Sequence, residues 1–168
     1  GTFYFGGKMR KFEKISFEQF KKDILDDKEL YDKYELPVRH SSKSAGYDIR
    51  SLTEGTIKPG ESMIFRTGLK ACMEDDEVLY LIGRSSLGYK YNVCLANNVG
   101  VIDADFYNNE DNEGHFSVKL INHGKEDVKV EIGDRIVQGI FQKYLITDDD
   151  NCTEKRTGGI GSTNKKGK

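Results

Sequence analysis

From residue 36 onward, apolar residues fall in short runs separated by turn-forming residues. The runs cover 47–52, 62–73, 78–82, 93–96, 116–121, 128–132 and 135–144. Between them lie Lys58-Pro59-Gly60, Glu74-Asp75-Asp76, the stretch 108–114 and His123-Gly124-Lys125. Many short strands at this spacing predict an all-β sandwich or barrel. The N-terminal region reads differently. Residues 10–15 alternate as a strand does. Ser16, followed by Glu18 and Gln19, reads as a helix N-cap, and Phe17, Phe20, Ile24 and Leu25 fall at helical spacing. This predicts a short amphipathic helix from Ser16 to about Asp27, with its aromatic stripe packed into a core or interface. Beyond Thr147 the periodicity stops. The acidic run 148–150, the glycines at 158, 159 and 161 and the closing lysines predict a flexible, glycine-rich tail over 148–168. Residues 1–8 precede Met9 and read as a cloning remnant, which leaves a single domain over 9–147 with an N-terminal strand–helix extension.

Composition narrows the field. A chain of 168 residues suits one domain with a real core. Hydrophobic residues are 36% and charged residues 32%, so much surface is wet or buried only against sister subunits. The run 78–82 is far too short to span a bilayer, so no membrane partner is expected. The net charge of -2 does not advertise direct nucleic-acid binding. Three cysteines form no CxxC pair and no even disulfide framework, which favours a reducing, cytoplasmic setting. Three scattered histidines disfavour a His-rich metal site, and 18 glycines disfavour a long helical bundle.

Four clusters carry candidate chemistry. Arg84-Ser85-Ser86 offers a guanidinium, two hydroxyls and backbone N–H groups in one turn, which suits phosphate; it also suits a capped surface turn. Gly100-Val101-Ile102-Asp103 ends an apolar run in a carboxylate, where partial desolvation and rigidity favour a general base; a turn-forming Asp is the alternative. Gly133-Asp134-Arg135-Ile136-Val137-Gln138 predicts a tight turn feeding a strand, with Arg135 and Val137 on one face and Ile136 and Gln138 on the other. In the tail, Arg156 precedes Gly158-Gly159-Ile160-Gly161-Ser162-Thr163, which can wrap a phosphate group with N–H donors or stay disordered. The pattern is not a Walker loop, since it lacks GK[ST] and a following helix.

Together the clusters form an ordered set. Ala45-Gly46-Tyr47-Asp48, Gly83-Arg84-Ser85-Ser86-Leu87-Gly88, Gly100-Val101-Ile102-Asp103-Ala104-Asp105-Phe106, Gly133-Asp134-Arg135-Ile136-Val137-Gln138 and Arg156-Thr157-Gly158-Gly159-Ile160-Gly161-Ser162-Thr163 resemble the five motifs of the trimeric dUTPases, in family order, from about Leu36 to Thr163. The resemblance implies a distorted β-barrel or jelly-roll subunit of the dUTPase-like β-clip type, assembled as a homotrimer whose sites draw on neighbouring chains. It implies cleavage of dUTP to dUMP and diphosphate by water attack on the α-phosphorus. That reaction limits uracil incorporation into DNA and supplies dUMP for dTMP synthesis. Mg²⁺ would be held by the substrate phosphates rather than directly by protein.

Residue by residue, Asp103 matches the family Asp that orients and deprotonates the water, and Asp48 the Asp beside metal-bound water and sugar. Arg84, Ser85, Ser86 and Gln138 match phosphate-side donors. Asn97, Gly100, Val101 and Ile102 lie where a hairpin reads uracil through backbone groups. Cytosine would leave such groups unpaired at about 1–3 kcal/mol each. Phe106 lies where the family places a Tyr under the deoxyribose, and Tyr107 beside it is the alternative register. Arg156 matches the γ-phosphate Arg, and Gly161, Ser162 and Thr163 the phosphate-capping stretch. Ile160 replaces the aromatic that stacks over uracil. The stretch 108–114 is longer than the typical family turn. Two alternatives remain within the resemblance. A dCTP deaminase-related enzyme places a Glu in the strand after the third motif, where this chain has Lys119, which cannot serve as a carboxylate proton shuttle. A phage-type dUTPase that also binds a regulatory protein would use the N-terminal helix and 108–114 as partner surface.

Overall fold

Alternating apolar and polar residues build three antiparallel sheets in the computed structural model, which describes residues 9–159. The elements in chain order are β1 (Lys11–Lys14), α1 (Phe17–Asp23), α2 (Lys28–Lys33), β2 (Val38–Arg39), β3 (Tyr47–Arg50), β4 (Gly55–Ile57), β5 (Ser62–Cys72), β6 (Glu77–Gly83), α3 (Ser85–Tyr91), β7 (Val93–Leu95), β8 (Gly100–Asp103), β9 (Phe116–Asn122), β10 (Val128–Val130) and β11 (Arg135–Lys143). A single 3₁₀ turn, Ala104–Phe106, follows β8. The sheets run β1-β5-β9-β7, β10-β4 and β2-β3-β11-β6-β8. They enclose one core in the all-β class expected from sequence, and among the described residues their ladders do not close on themselves.

Strand β9 shows why these residues form strands. Phe116, Val118 and Leu120 point inward and are buried, while Lys119 between them faces solvent. Each large apolar side chain buried in this way contributes about 1.5–3 kcal/mol. The strand ends in buried Asn122, whose amide donates to the carbonyls of Ile57 and Glu126 and accepts from Gly124 N–H, closing the turn into β10. Phe12 carries β1 into the same core, packing on Phe116 and Phe141. No helix among the described residues is long and apolar enough to cross a membrane.

The N-terminal helix departs from expectation in length. Ser16 does cap α1, accepting from Gln19 N–H at 3.1 Å. The helix stops at Asp23 rather than running to Asp27, because Asp27 caps a second helix by accepting from Leu30 N–H. The two helices form a satellite core of Ile15, Phe20 and Leu52 with Phe17, Ile24, Leu30, Tyr31 and Tyr34.

A bulge in β5 joins this satellite to the sheets. Pairing with β9 slips between Arg66 and Leu69, and Gly68 adopts φ +72°. A Cβ there would meet Leu52 Cδ1 at 2.5 Å and the Tyr34 ring at 2.9 Å, so both conformation and space require glycine. Its carbonyl accepts from Ile15 N–H and the Tyr34 hydroxyl, and its N–H donates to His115 Nε2 at 2.9 Å. His115 is buried, and its Nδ1–H faces Asp23 Oδ2 at 2.6 Å. Burial pushes the His115 pKa down, outweighing the Asp23 carboxylate that pulls it up. Burial alone would raise Asp23, but hydrogen bonds from His115 and Gln19 hold it below its usual value. A neutral imidazole therefore donates to an ionised carboxylate and accepts from a backbone amide.

This pair makes stability depend on pH. The unfolded chain takes up the His115 proton near pH 6.5, and the folded chain only below that. The contribution is full above pH 6.5 and drains as pH falls, at up to about 1.4 kcal/mol per pH unit. The thermal midpoint of the parent protein should therefore fall further between pH 7.5 and pH 5.5 than that of His115→Gln, which cannot titrate. Equal falls in the two proteins would remove His115 from the pH dependence.

Candidate functional site

The sequence-predicted residues gather into two groups at opposite ends of β6. At its C-terminal end, Asp48 on β3 stands opposite Gln138 on β11. The Asp48 side chain is 18% exposed and lies between two guanidiniums, with Arg84 Nε at 3.4 Å and Arg135 Nη1 at 3.7 Å. Gly46 gives Gln138 its room, since a Cβ there would collide with Gln138 Oε1. Gln138 in turn reaches the Gly83 carbonyl at 3.4 Å. A cavity of about 500 Å³ opens here, with Arg39, Arg50, Arg135, Lys33 and His40 in its lining alongside the carboxylates of Glu35 and Asp48, so cations outnumber carboxylates. Such a surface suits an anion.

Two local expectations are corrected here. Arg84-Ser85-Ser86 is not a plain turn. Arg84 caps α3, so Ser85 and Ser86 sit exposed on its first turn, and the seven-residue helix ends at Tyr91 with its C-cap Asn92 in the left-handed region. A helix this short leaves too few apolar positions for periodicity to register. The predicted alternation in β11 also fails, because pairing with β3 shifts between Arg135 and Val137. Ile136 and Val137 are consequently both buried, while Arg135 stays exposed beside Asp48.

At the N-terminal end of β6, Val78 stands opposite Asp103, the last residue of β8. Strand β8 is the edge of its sheet. One row of its backbone N–H and C=O groups therefore lies outside the ladder. Asn97, Gly100, Val101, Ile102, Asp103 and Phe106 line a cavity of about 610 Å³ along that edge, with Lys119 on its far wall. Gly100 packs against Leu81, where a Cβ would meet Leu81 Cβ at 2.9 Å. The 3₁₀ turn after β8 swings the Phe106 ring into the cavity, 5% exposed. Tyr107 points elsewhere. Its hydroxyl donates to the Glu13 carboxylate at 2.9 Å, and Lys70 lies over its ring. Burial and that carboxylate push the Tyr107 phenol up to about 12. Of the two neighbours, Phe106 is thus the ring in the cavity.

Asp103 is held by an ion pair rather than by burial. Its side chain is 51% exposed, and Arg156 Nη2 lies 2.9 Å from its Oδ2. The same guanidinium meets Asp105 at 2.9 Å through Nε and sits 5.8 Å from the centre of the Phe106 ring. Residues 148–159 form no helix or strand, yet Arg156 is only 12% exposed, and Gly158 and Gly159 are buried. Ile160, Gly161, Ser162 and Thr163 lie outside the described residues. The stretch 108–114 and the N-terminal helices, read as partner surface, are engaged within the chain: Glu113 accepts from Ser16 N–H, and Glu110 N–H donates to the Thr157 carbonyl. Three participants escaped the sequence reading: Arg135, Asp105 and Asp111, whose carboxylate accepts from Gly159 N–H at 2.7 Å. Arg135 and Asp105 lie inside the quoted motifs, but their partners, Asp48 and Arg156, are far away in sequence.

The two groups do not meet within one chain. Six residue steps separate Val78, opposite Asp103, from Arg84, at about 3.3 Å per step. Asp103 and Arg84 therefore stand about 20 Å apart along an extended strand.

Comparison with known proteins adds independent findings. The dUTPase family model matches residues 32–164. The deoxyuridine 5'-triphosphate nucleotidohydrolase of Lactococcus lactis subsp. lactis is 48% identical over 130 residues, covering 76% of this chain and 87% of that protein. The Haemophilus influenzae protein of the same name is 35% identical over 150 residues, covering 84% and 95%. The crystal structure of dUTPase from Streptococcus mutans matches with a TM-score of 0.69 at 38% identity, covering 83% of this chain and 99% of that one. A mutant dUTPase from phage phi11 of S. aureus, whose structure reveals coordination of a structural Mg(II) ion, shares the fold with a TM-score of 0.59 at 18% identity, covering 71% and 90%.

Proposed function

The chain belongs to the dUTPase family, and on that premise we propose that it hydrolyses dUTP to dUMP and diphosphate at sites completed between the chains of a homotrimer. The observation that carries this reading is the separation of the two groups by the length of β6. A general base and the donors to the phosphate it attacks must lie within a few ångström of one substrate. Chains related by rotation can bring the Asp103 end of one chain to the Arg84 end of the next.

In this arrangement uracil enters the cavity along β8, whose edge N–H and C=O groups read its acceptor–donor–acceptor face. The Phe106 ring packs beneath deoxyribose and leaves no room for a 2′-hydroxyl. Asp103 accepts the proton of the water that attacks the α-phosphorus. Arg84, Ser85, Ser86 and Gln138 of a neighbouring chain bind the phosphates. Arg156 trades its carboxylate partners for the γ-phosphate, where developing charge rewards a guanidinium. No three carboxylate, His or Cys side chains converge among the described residues. Magnesium favours oxygen ligands and keeps several waters; in this reading the triphosphate carries the ion and the Asp48 carboxylate would hydrogen-bond its waters. Bound there, Mg²⁺ would neutralise phosphate charge.

Release of diphosphate from dUTP, dCTP, dTTP and UTP with Mg²⁺ tests the reading, and dUTP should be strongly preferred. Asp103→Asn should lower turnover by roughly 10²–10⁴ while dUTP still binds; near-normal turnover would remove Asp103 as the base. Phe106→Ala should raise UTP turnover relative to dUTP, whereas Tyr107→Ala should leave selectivity unchanged and cost stability through the lost Glu13 bond. The reverse pattern would place the sugar gate at Tyr107.

A further inference from the structure

The cavity along β8 holds a cation that the proposed site does not use. Lys119 lines its far wall, exposed on the outward face of β9 between buried Val118 and Leu120. Among the described residues its ammonium has no hydrogen-bond or ion-pair partner. The other charged groups of the lining are engaged. Asp103, the one carboxylate there, faces Arg156 at 2.9 Å, and Arg66 donates to the Ser117 hydroxyl at 3.2 Å. Ile64 stands opposite Lys119 on β5, half exposed, and offers its aliphatic stem an apolar flank. An unpaired ammonium in the wall of a ligand cavity is a donor left for the ligand.

The two ends of the cavity take different parts of a nucleotide. Asp103 and Phe106 stand at the C-terminal end of β8, where the proposed site puts the α-phosphate and the deoxyribose. The base then points toward the other end, at Asn97 and Gly100. In a pyrimidine nucleotide the sugar sits on N1, and C4 lies directly across the ring. The group on C4 is therefore the one farthest from Asp103. Strand β9 passes this end, because the Lys119 carbonyl accepts from Ala96 N–H at 2.9 Å, one residue before Asn97. Uracil carries a carbonyl oxygen at C4, with one lone pair on the N3 side and one on the C5 side. A backbone N–H of β8 takes the first and leaves the second for another donor. Cytosine carries an amino group there, whose hydrogens would face the ammonium with like partial charge.

We propose that Lys119 is a specificity-determining residue whose ammonium donates to O4 of the uracil base and opposes the amino group of cytosine. Lys119 acts here on the dUTP hydrolysis proposed above, and its role rests on that reading. A backbone N–H gives O4 a neutral hydrogen bond. A charged donor makes a bond about twice as strong. It also repels the wrong base, where a neutral reader would only leave groups unpaired.

The test compares the full chain with Lys119→Met, which keeps the length of the side chain and removes its charge, and with Lys119→Arg, which keeps a charged donor. Lys119→Met should lower kcat/KM for dUTP about tenfold, the size of one charge-assisted hydrogen bond, and lower the preference for dUTP over dCTP by at least as much. Lys119→Arg should recover most of both. The atom contacted is read with 4-thio-dUTP, whose sulfur is a poor acceptor. Replacing O4 by sulfur should cost the parent protein about tenfold more than it costs Lys119→Met. Equal costs would overturn the proposal, by showing that Lys119 attracts the phosphates or supports the fold rather than meeting O4. An unchanged preference for dUTP over dCTP in Lys119→Met would overturn it as well. Calorimetric titration with dUMP and 4-thio-dUMP repeats the comparison without turnover. If the parent protein releases no diphosphate from dUTP, the hydrolase reading fails, and these titrations still decide Lys119. A thio penalty on binding in the parent alone supports the contact, whereas equal penalties, or no binding of dUMP, overturn it.

Discussion

Strand β6 is seven residues long, and its length governs what one chain can do. It is paired on both sides, with β11 along one edge and β8 along the other, so it cannot bend to bring its ends together. β8 delivers Asp103 and the Phe106 cavity to one end, while the chain leaving the other end begins α3 with Arg84, Ser85 and Ser86. β11 and β3 add Gln138 and Asp48 beside that second end. Each group is locally well formed, with buried apolar neighbours and paired charges. Under the proposed function neither alone would be a complete site for a triphosphate. The rigidity that stabilises the sheet keeps Asp103 away from Arg84, Ser85 and Ser86, and under the proposed function chains must associate to bring them together.

Away from β6, the molecule is knitted by backbone groups that the sheets leave over. Gly68 uses both its N–H and its carbonyl outside the β5 ladder, on His115, Ile15 and Tyr34, and so fastens the N-terminal helices to the sheets. Tyr107 and Glu113 do the same from the other side through Glu13 and Ser16. The stretch that carries Glu113 also carries Asp111, which grips the tail. The extension and the tail are therefore linked through one loop beside the cavity along β8.

Much of this was legible in the sequence. Seven apolar runs became strands with boundaries within a residue or two, because each buries one face on a shared core. Where reading failed, the cause was non-local. Bulges at Gly68 and between Arg135 and Val137 break a period of two, and a bulge is set by the partner strand. Helices α2 and α3 are too short to show a helical period. The five motifs marked the candidate residues, but not that they form two separated groups. Nor did they show that Asp105 shares Arg156 with Asp103, since those contacts span 51 and 53 positions of chain. The adjacent rings of Phe106 and Tyr107 were indistinguishable until a 3₁₀ turn sent one to the cavity and the other to Glu13.

The central question is whether the two ends of β6 serve one site through different chains. Two variants, Asp103→Asn and Arg84→Ala, each disable one group, and each should be nearly inactive alone against dUTP. If they are unfolded together, mixed in equal amounts and refolded, chains associate at random. About a quarter of the interfaces should then pair an intact Asp103 with an intact Arg84, restoring about a quarter of parental activity. Mixtures that stay as inactive as their components would show that both groups must come from the same chain, against the separation that β6 imposes.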